Sequence, residues 1–93
     1  MTLPTTKSLE GAVVEILKSR PEGLTSNEIL ESILVYFALP ESAKYEVGNN
    51  SRPELPYRLG WAKTHAKNRG SIYRSDKGIW HRYNFISTLN IQN

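Results

Sequence analysis

The sequence predicts a small α+β domain in which three helices precede a β-hairpin, and three observations support this. Two segments in the first half repeat apolar residues at the three- and four-residue spacing of an amphipathic helix. A third, strongly basic segment ends at Gly70, and two short runs rich in β-branched and aromatic residues follow it. The 93 residues suffice for one core, so we predict a single domain over 1–93 and expect it to be part of a larger protein.

The first helix is predicted over residues 8–19. Its apolar stripe consists of Leu9, Ala12, Val13, Ile16 and Leu17. Ser8 is the predicted N-cap, and Glu10 then lies in the first turn, where the helix dipole favours an acid. The segment Pro21-Glu22-Gly23 ends this helix and leads into a short extended piece.

The second helix is predicted over residues 26–38. Thr25 and Glu28 have the spacing of a capping box, and Leu24 and Ile29 have that of a hydrophobic staple. The buried stripe is Ile29, Leu30, Ile33, Leu34 and Phe37. The agreement of cap, staple and stripe makes this a well-defined helix.

A loop over residues 40–55, with one helical turn around Pro40–Lys44, separates the second helix from the third. We predict the third helix over residues 56–69, because proline suits the first helical position. A start at the capping-box pattern Ser51-x-x-Glu54 would put Pro56 in the second turn, where it breaks the hydrogen-bond ladder. The predicted inward face carries Leu59, Ala62 and Ala66.

The hairpin is predicted from strands Ser71–Arg74 and Ile79–Tyr83, joined by the turn Ser75–Gly78. The extended piece near Leu24 is expected to pair with it as a third strand. Residues 84–93 either extend the last strand or pack back onto the domain. This order of elements is typical of a winged helix-turn-helix fold, with three helices and a β-hairpin wing.

The charge distribution points to a polyanionic partner. The net charge is +3, but residues 1–50 hold four basic and seven acidic residues, whereas residues 51–93 hold eight basic and two acidic residues. One half is therefore at −3 and the other at +6, the one-sided positive field typical of nucleic-acid binding. The chain has no cysteine and no apolar run of membrane-spanning length, so we expect a cytoplasmic protein without a membrane partner.

The outward face of the third helix carries groups that suit a DNA major groove. Lysine and arginine bind phosphates or guanine, asparagine reads adenine, and threonine contacts a phosphate or a thymine methyl. A glycine inside this helix lets the backbone approach DNA closely, and the hairpin tip is placed to follow the phosphates. The predicted DNA-binding residues are Arg52, Tyr57, Arg58, Gly60, Trp61, Lys63, Thr64, Lys67, Asn68, Arg74, Ser75 and Lys77.

The aromatic residues allow two interpretations. Trp80, in the last strand, is expected to pack in the core, as most tryptophans do. Trp61, Tyr57 or Tyr73 would instead line a pocket that stacks on a modified or flipped base.

Three stretches resemble the N-terminal winged-helix domain of Mrr-type restriction proteins: Arg58–His65 (RLGWAKTH), Lys67–Ile72 (KNRGSI) and Lys77–Trp80 (KGIW). The resemblance covers about residues 9–83. It departs from the family pattern at His65-Ala66 and at the start of the first hairpin strand.

This resemblance implies that the domain docks on double-stranded DNA, including methylated DNA, and serves a nuclease domain fused to it or associated with it. The function it implies is recognition within a restriction or defence endonuclease.

The residues themselves argue against catalysis by this chain alone. No acidic residue has a lysine two positions later, the pattern with which many nucleases hold Mg²⁺, and the two histidines lack nearby thiolates or carboxylate pairs. We therefore expect no enzyme, no metal and no cofactor. Two alternatives stay open: a winged-helix transcription regulator working as a symmetric dimer, and a winged helix that binds protein and not DNA. The oligomeric state is open as well.

Overall fold

The computed structural model describes residues 2–83. It contains three helices, α1 (Thr6–Lys18), α2 (Ser26–Tyr36) and α3 (Glu54–Asn68), and three strands, β1 (Leu24–Thr25), β2 (Ile72–Arg74) and β3 (Ile79–Arg82). A 3₁₀ helix over Glu41–Tyr45 lies between α2 and α3, where one helical turn was predicted. The strands form one antiparallel sheet in the order β1-β3-β2. This confirms the predicted α+β class and the winged helix-turn-helix arrangement.

The core lies between the three helices and the inner face of the sheet. The fully buried large side chains are Leu9, Val13, Leu17, Ile29, Ile33, Leu55 and Ile72. The inward face of α3 is the predicted one, with Leu55 added at its first turn. Because Ala62 and Ala66 are small and fully buried, α3 packs closely against α1.

The N-terminus of α2 forms the predicted capping box. The Thr25 hydroxyl accepts from the Glu28 backbone N–H at 3.1 Å, and the Glu28 carboxylate accepts from the Thr25 N–H at 2.8 Å. Leu24 and Ile29, the predicted staple pair, are both buried. The cap therefore fixes the direction in which the chain passes from β1 into α2.

The C-terminus of α2 closes with an unusual residue. Ala38 has φ 54°, and the N–H groups of Ala38 and Leu39 donate back to the carbonyls of Val35 and Leu34. This is a Schellman motif whose left-handed position normally carries glycine. The helix ends at Tyr36, two residues before the predicted boundary.

We expect the substitution Ala38→Gly to stabilise the domain by about 0.5–1 kcal/mol, because it removes the steric cost of an L side chain in the left-handed region. The residue is exposed, so little packing is lost. Urea denaturation of the two proteins checks this, and an unchanged or lower midpoint would contradict it.

The start of α1 differs from the prediction. The N-cap is Thr5, whose hydroxyl accepts from the backbone N–H of Ser8 at 3.1 Å, so the helix begins at Thr6 and Ser8 is its third residue. Glu10 consequently lies beyond the first turn, where its carboxylate accepts from the Arg69 Nε at 2.8 Å. That ion pair joins α1 to the end of α3.

The start of α3 also lies earlier than predicted. The helix begins at Glu54, with Pro53 as an N-cap that makes no side-chain hydrogen bond. Pro56 is then the third helical residue, where a backbone N–H has no partner within the helix. The rejection of a Ser51 cap was right, but the choice of Pro56 as first residue was wrong by two positions. A β-bridge between Val47 and Pro53 holds the entering chain.

The hairpin turn is built as predicted. The N–H of Gly78 donates to the Ser75 carbonyl at 2.9 Å, and Gly78 has φ 79°, which is accessible to glycine without strain. The strands begin at Ile72 and end at Arg82, one residue inside the predicted limits at those two ends. The prediction for residues 84–93 lies outside the described residues.

Trp80 is a core residue, as predicted. It is 8% exposed, pairs with Leu24 across the β1–β3 ladder, and donates from Nε1 to the Ser26 hydroxyl at 3.1 Å. The hydrogen bond satisfies the indole N–H, which a buried tryptophan needs. Trp80 thus ties the hairpin to the N-terminus of α2.

Candidate nucleic-acid interface

One side of α3 faces away from the core along its length. It carries Tyr57, Gly60, Trp61, Thr64 and Asn68, the residues that helical periodicity predicts there. Tyr57 is 41% exposed and Trp61 is 49% exposed. Thr64 and Asn68 are exposed as well, so the face offers a hydroxyl, an amide and two aromatic rings to a partner.

Gly60 lies in the middle of this face without packing against anything. A Cβ built on Gly60 would meet no atom within 4 Å outside its own helical turn. Within residues 2–83, the small size of Gly60 is therefore not required by a close contact with another element. The Thr64 hydroxyl donates to the Gly60 carbonyl at 3.1 Å, which leaves the threonine oxygen able to accept a hydrogen bond from a partner.

We expect Gly60→Ala to raise the free energy of unfolding by about 0.5–1 kcal/mol, because alanine has the higher helix propensity. If α3 is the helix that contacts duplex DNA, the same change should weaken binding several-fold, since the methyl group would then lie between the helix and the DNA. Gly11→Ala is the matched control, because Gly11 is an exposed glycine of α1 with equally open space around it. Equal affinity of Gly60→Ala and Gly11→Ala for DNA would contradict the close approach.

Two lysines flank this face on the side of the wing. Lys67 is exposed, whereas Lys63 is half-buried, with its Nζ 5.6 Å from the centre of the Trp80 ring. Burial, and to a lesser degree the charge of Arg74, lowers the pKa of the Lys63 ammonium. The charge of an anion close to Lys63 would raise this pKa again and so offset the lowering.

The predicted wing residues divide into two groups. Arg74 and Lys77 are exposed, and neither forms an ion pair within residues 2–83. The Ser75 hydroxyl instead accepts from the Ile79 N–H at 3.2 Å, so its first role is to hold the turn. The wing therefore presents two cations on a rigid hairpin.

Arg58 belongs to the scaffold and not to the exposed face. Its Nε donates to the Glu54 carboxylate at 2.8 Å, and its Nη1 donates to the Pro4 carbonyl at 2.9 Å. These contacts hold the segment that precedes α1. Because the guanidinium is paired with Glu54 and turned towards the N-terminus, we expect Arg58 to contribute less to an interface than the unpaired cations, and its DNA contact stays a prediction.

Arg52 stands at the start of α3 in a defined orientation. Its guanidinium lies 3.4 Å from the centre of the Tyr57 ring, and its Nε is a buried donor without a hydrogen-bond partner. Next to it is a cleft of about 590 Å³ that Leu30, Tyr45 and Pro56 also line. Stacking on Tyr57 fixes the orientation of the Arg52 guanidinium, a group that suits the binding of phosphate oxygens.

The aromatic residues proposed for base stacking do not lie together. Tyr57 and Trp61 border one shallow groove of about 370 Å³ with Gly60 and Thr64. Tyr73 lies on the sheet, stacked on His81 at 5.1 Å. Only Tyr57 and Trp61 can therefore contribute to a pocket on the α3 face.

The two histidines lie on different elements. His65 is on α3 beside Trp61, and His81 is on β3. Within residues 2–83, no three His, Cys, Asp or Glu side chains lie together as a metal site would require.

No helix in residues 2–83 is both long and apolar enough to cross a bilayer.

Comparison with known proteins yields one match. The family model described as the Mrr N-terminal domain matches residues 7–81, which include α2, α3, all of α1 except its first residue, and nearly all of the hairpin. No curated protein and no solved structure matches the chain significantly. The match covers most of the chain and runs through α3 and the wing. The chain therefore belongs to the Mrr N-terminal domain family and is a restriction-system-associated domain.

Proposed function

We propose that this chain binds duplex DNA and positions a restriction nuclease on it. The observation that carries the proposal is the distribution of ion pairs. Arg58 and Arg69, which point towards α1 and the N-terminal segment, are paired with carboxylates at 2.8 Å. Lys63, Lys67, Arg74 and Lys77 form no ion pair within the described residues, and all four lie on α3 or the wing.

In the complex that we propose, α3 enters the major groove with its open face towards the base edges. Asn68 and Thr64 are the residues for base contacts, and Gly60 allows the helix backbone to come close. Lys67 and the wing cations lie along the phosphates, together with Arg52. Five phosphate contacts, from Arg52, Lys63, Lys67, Arg74 and Lys77, fit this arrangement.

We also propose that the domain recognises a modified base through the groove bordered by Tyr57 and Trp61. The groove bordered by Tyr57 and Trp61 is open and has two aromatic walls. Such walls stack on a base that has left the helix, or pack against a methyl group in the major groove. The chemistry of cleavage would belong to a separate nuclease domain, because this sequence lacks the acid and lysine pattern of a Mg²⁺ nuclease.

The test is fluorescence anisotropy with one duplex in unmodified, N6-methyladenine and 5-methylcytosine forms over a series of salt concentrations. Five phosphate contacts predict a slope of log affinity against log salt of about −4 to −5. One modified form bound more than about tenfold tighter, a gap of about 1.4 kcal/mol, would support a modification reader. Equal affinities would leave a general DNA anchor, and no binding at low salt would refute the proposal.

One observation favours a second candidate, a protein-binding winged helix. Trp61 and Tyr57 are large, exposed aromatic residues on α3, and such residues are enriched at protein interfaces. The salt series separates the two candidates, since binding through an apolar patch depends little on salt. A regulator acting as a dimer would instead require a palindromic duplex with two half-sites one helical turn apart.

A further inference from the structure

The outer face of the sheet carries a row of three aromatic rings. The Tyr73 ring lies 5.1 Å from His81 and 4.7 Å from Tyr83, measured between ring centres. Tyr73 is 37% exposed and Tyr83 is 43% exposed. We call the cleft of about 580 Å³ above this row the Tyr73 cleft.

Basic side chains border the Tyr73 cleft. Lys18 and Arg20 come from the end of α1 and the loop after it. Arg82 of β3 also lines the cleft, although strand alternation starts its side chain on the opposite side of the sheet from His81. The residues that line the cleft include no aspartate or glutamate. The combination of half-exposed aromatic rings, the two cations Lys18 and Arg20 and, among the described lining residues, no acid suits a ligand that is both planar and anionic.

The fold holds the two walls of the cleft together. Gly23 ends the loop that carries Arg20, and a Cβ built there would lie 2.6 Å from the His81 Cε1 and 2.7 Å from the Trp80 carbonyl oxygen. The loop therefore lies directly on β3. This close contact brings Arg20 beside the aromatic row.

The Tyr73 cleft is separate from the α3 face. Successive side chains of a strand point to opposite sides of the sheet. Tyr73 and His81 are cross-strand partners, whereas their neighbours Ile72 and Trp80 belong to the core under α3. The aromatic row thus lies on the side of the sheet that faces away from the proposed major-groove helix.

We infer that the Tyr73 cleft binds an unpaired stretch of single-stranded DNA. Aromatic rings beside cations are the means by which proteins hold single strands, with bases on the rings and phosphates on the cations. Duplex DNA cannot use the rings, because its bases are stacked on one another. The domain then holds two DNA surfaces, one for duplex on α3 and the wing, and one for a strand that has separated from its partner.

The inference is tested with the 93-residue chain and an oligothymidylate of about 12 nucleotides, a length within the usual range for single-strand sites. One internal base is replaced by 2-aminopurine, whose fluorescence falls when it stacks. We expect saturable binding at low salt with quenching of this fluorescence. An oligonucleotide of the same length with abasic sites should bind about tenfold more weakly.

Three variants separate stacking from general attraction. Tyr73→Leu keeps an apolar side chain on β2 and should weaken binding about tenfold and remove the quenching, whereas Tyr73→Trp should retain both. Arg20→Glu changes an exposed loop residue and should weaken binding without a loss of stability. Trp61→Leu should leave the quenching intact, because Trp61 lies on α3.

The outcomes for this inference and for the proposed function are distinguishable. The inference predicts that Lys67→Gln with Lys77→Gln weakens duplex binding and spares the single strand, while Tyr73→Leu does the reverse. If Lys67→Gln with Lys77→Gln loses binding of both duplex and single-stranded DNA, and Tyr73→Leu loses neither, the inference about the Tyr73 cleft is refuted and the proposed duplex binding stands. Absence of single-strand binding, or binding that is equally tight to the abasic oligonucleotide, refutes the inference as well.

Discussion

Replacement of Gly23 by alanine is expected to destabilise the domain by about 3 kcal/mol or more. Gly23 has φ 80°, a region that costs an L residue about 1–2 kcal/mol. The added Cβ would also lie 2.5 Å from the Ile79 Cγ2 and 2.7 Å from the Trp80 carbonyl oxygen, so either the loop or β3 must move. Since a small domain has about 5–15 kcal/mol in total, this loss is severe.

The measurement is chemical denaturation followed by circular dichroism, with Gly70→Ala as the matched control. Gly70 closes α3 with φ 76°, but a Cβ built there meets nothing within 4 Å. Gly70→Ala should therefore lower the free energy of unfolding only by the cost of placing an L residue in the left-handed region, about 1–2 kcal/mol. The difference between the two variants measures the contact of the loop with β3. Equal losses would mean that the sheet accommodates the methyl group.

The double substitution Lys67→Gln with Lys77→Gln is expected to lower duplex affinity at low salt by roughly tenfold to a hundredfold. Both lysines are exposed and without ion pairs in the described part of the chain, one on α3 and one on the wing. Removal of two phosphate contacts should also reduce the magnitude of the salt slope by about 2. The loss should be similar for all sequences, because phosphates carry no sequence information.

The control keeps the same change in net charge but places it on α1. Lys7→Gln with Lys18→Gln alters two exposed lysines outside the α3 face. This control should leave the salt slope unchanged, whereas a general attraction of a basic protein to DNA would reduce the slope equally in both proteins. Anisotropy titrations at four or more salt concentrations distinguish the two results. An unchanged slope in the Lys67 and Lys77 variant would place the duplex elsewhere on the domain.

The contrast between paired and unpaired cations on α3, its C-cap and the wing explains why total charge is a poor guide to the interface. Arg58 and Arg69 contribute to the basic count of the second half, yet both are held by carboxylates of the domain itself. Another paired cation, Lys44, lies outside α3, and the hydrogen bonds that its ammonium donates to the carboxylates of Glu31 and then Glu41 raise its pKa. The charges available to a polyanion are those that have no such partner.

Several features were predictable from the sequence because their causes are local. The capping box of Thr25 and Glu28 spans four residues, and both partners are present in the structure as predicted. The inward and outward faces of α3 follow from helical periodicity alone. The hairpin turn follows from Gly78 and the polar residues before it. The Arg58–Glu54 pair also has the four-residue spacing of a helical ion pair. The prediction of Arg58 as a DNA contact did not use this signal.

Other features depended on residues far apart in the chain. Thr5 and Ser8 are equally good N-caps by residue type. In the structure Thr5 is the N-cap, next to Pro4, whose carbonyl accepts from Arg58, more than 50 positions away in the chain. Glu54 begins α3 where its N–H donates to the Glu46 carbonyl at 3.0 Å and the neighbouring bridge holds Pro53. No pattern within a few residues contains this information.

The sequence by itself thus determined the order of the elements and the faces of the helices, since those depend on spacing within a few residues, and its motifs carried the resemblance to the family. Only the tertiary structure decided which cations are neutralised and which remain available. It also brought Lys18 and Arg20 from the first half of the chain beside Tyr73 and His81 of the second half. The physical reason is that electrostatic and stacking interactions act over a few ångströms in space, and those distances exist only once the three helices and the sheet have packed together.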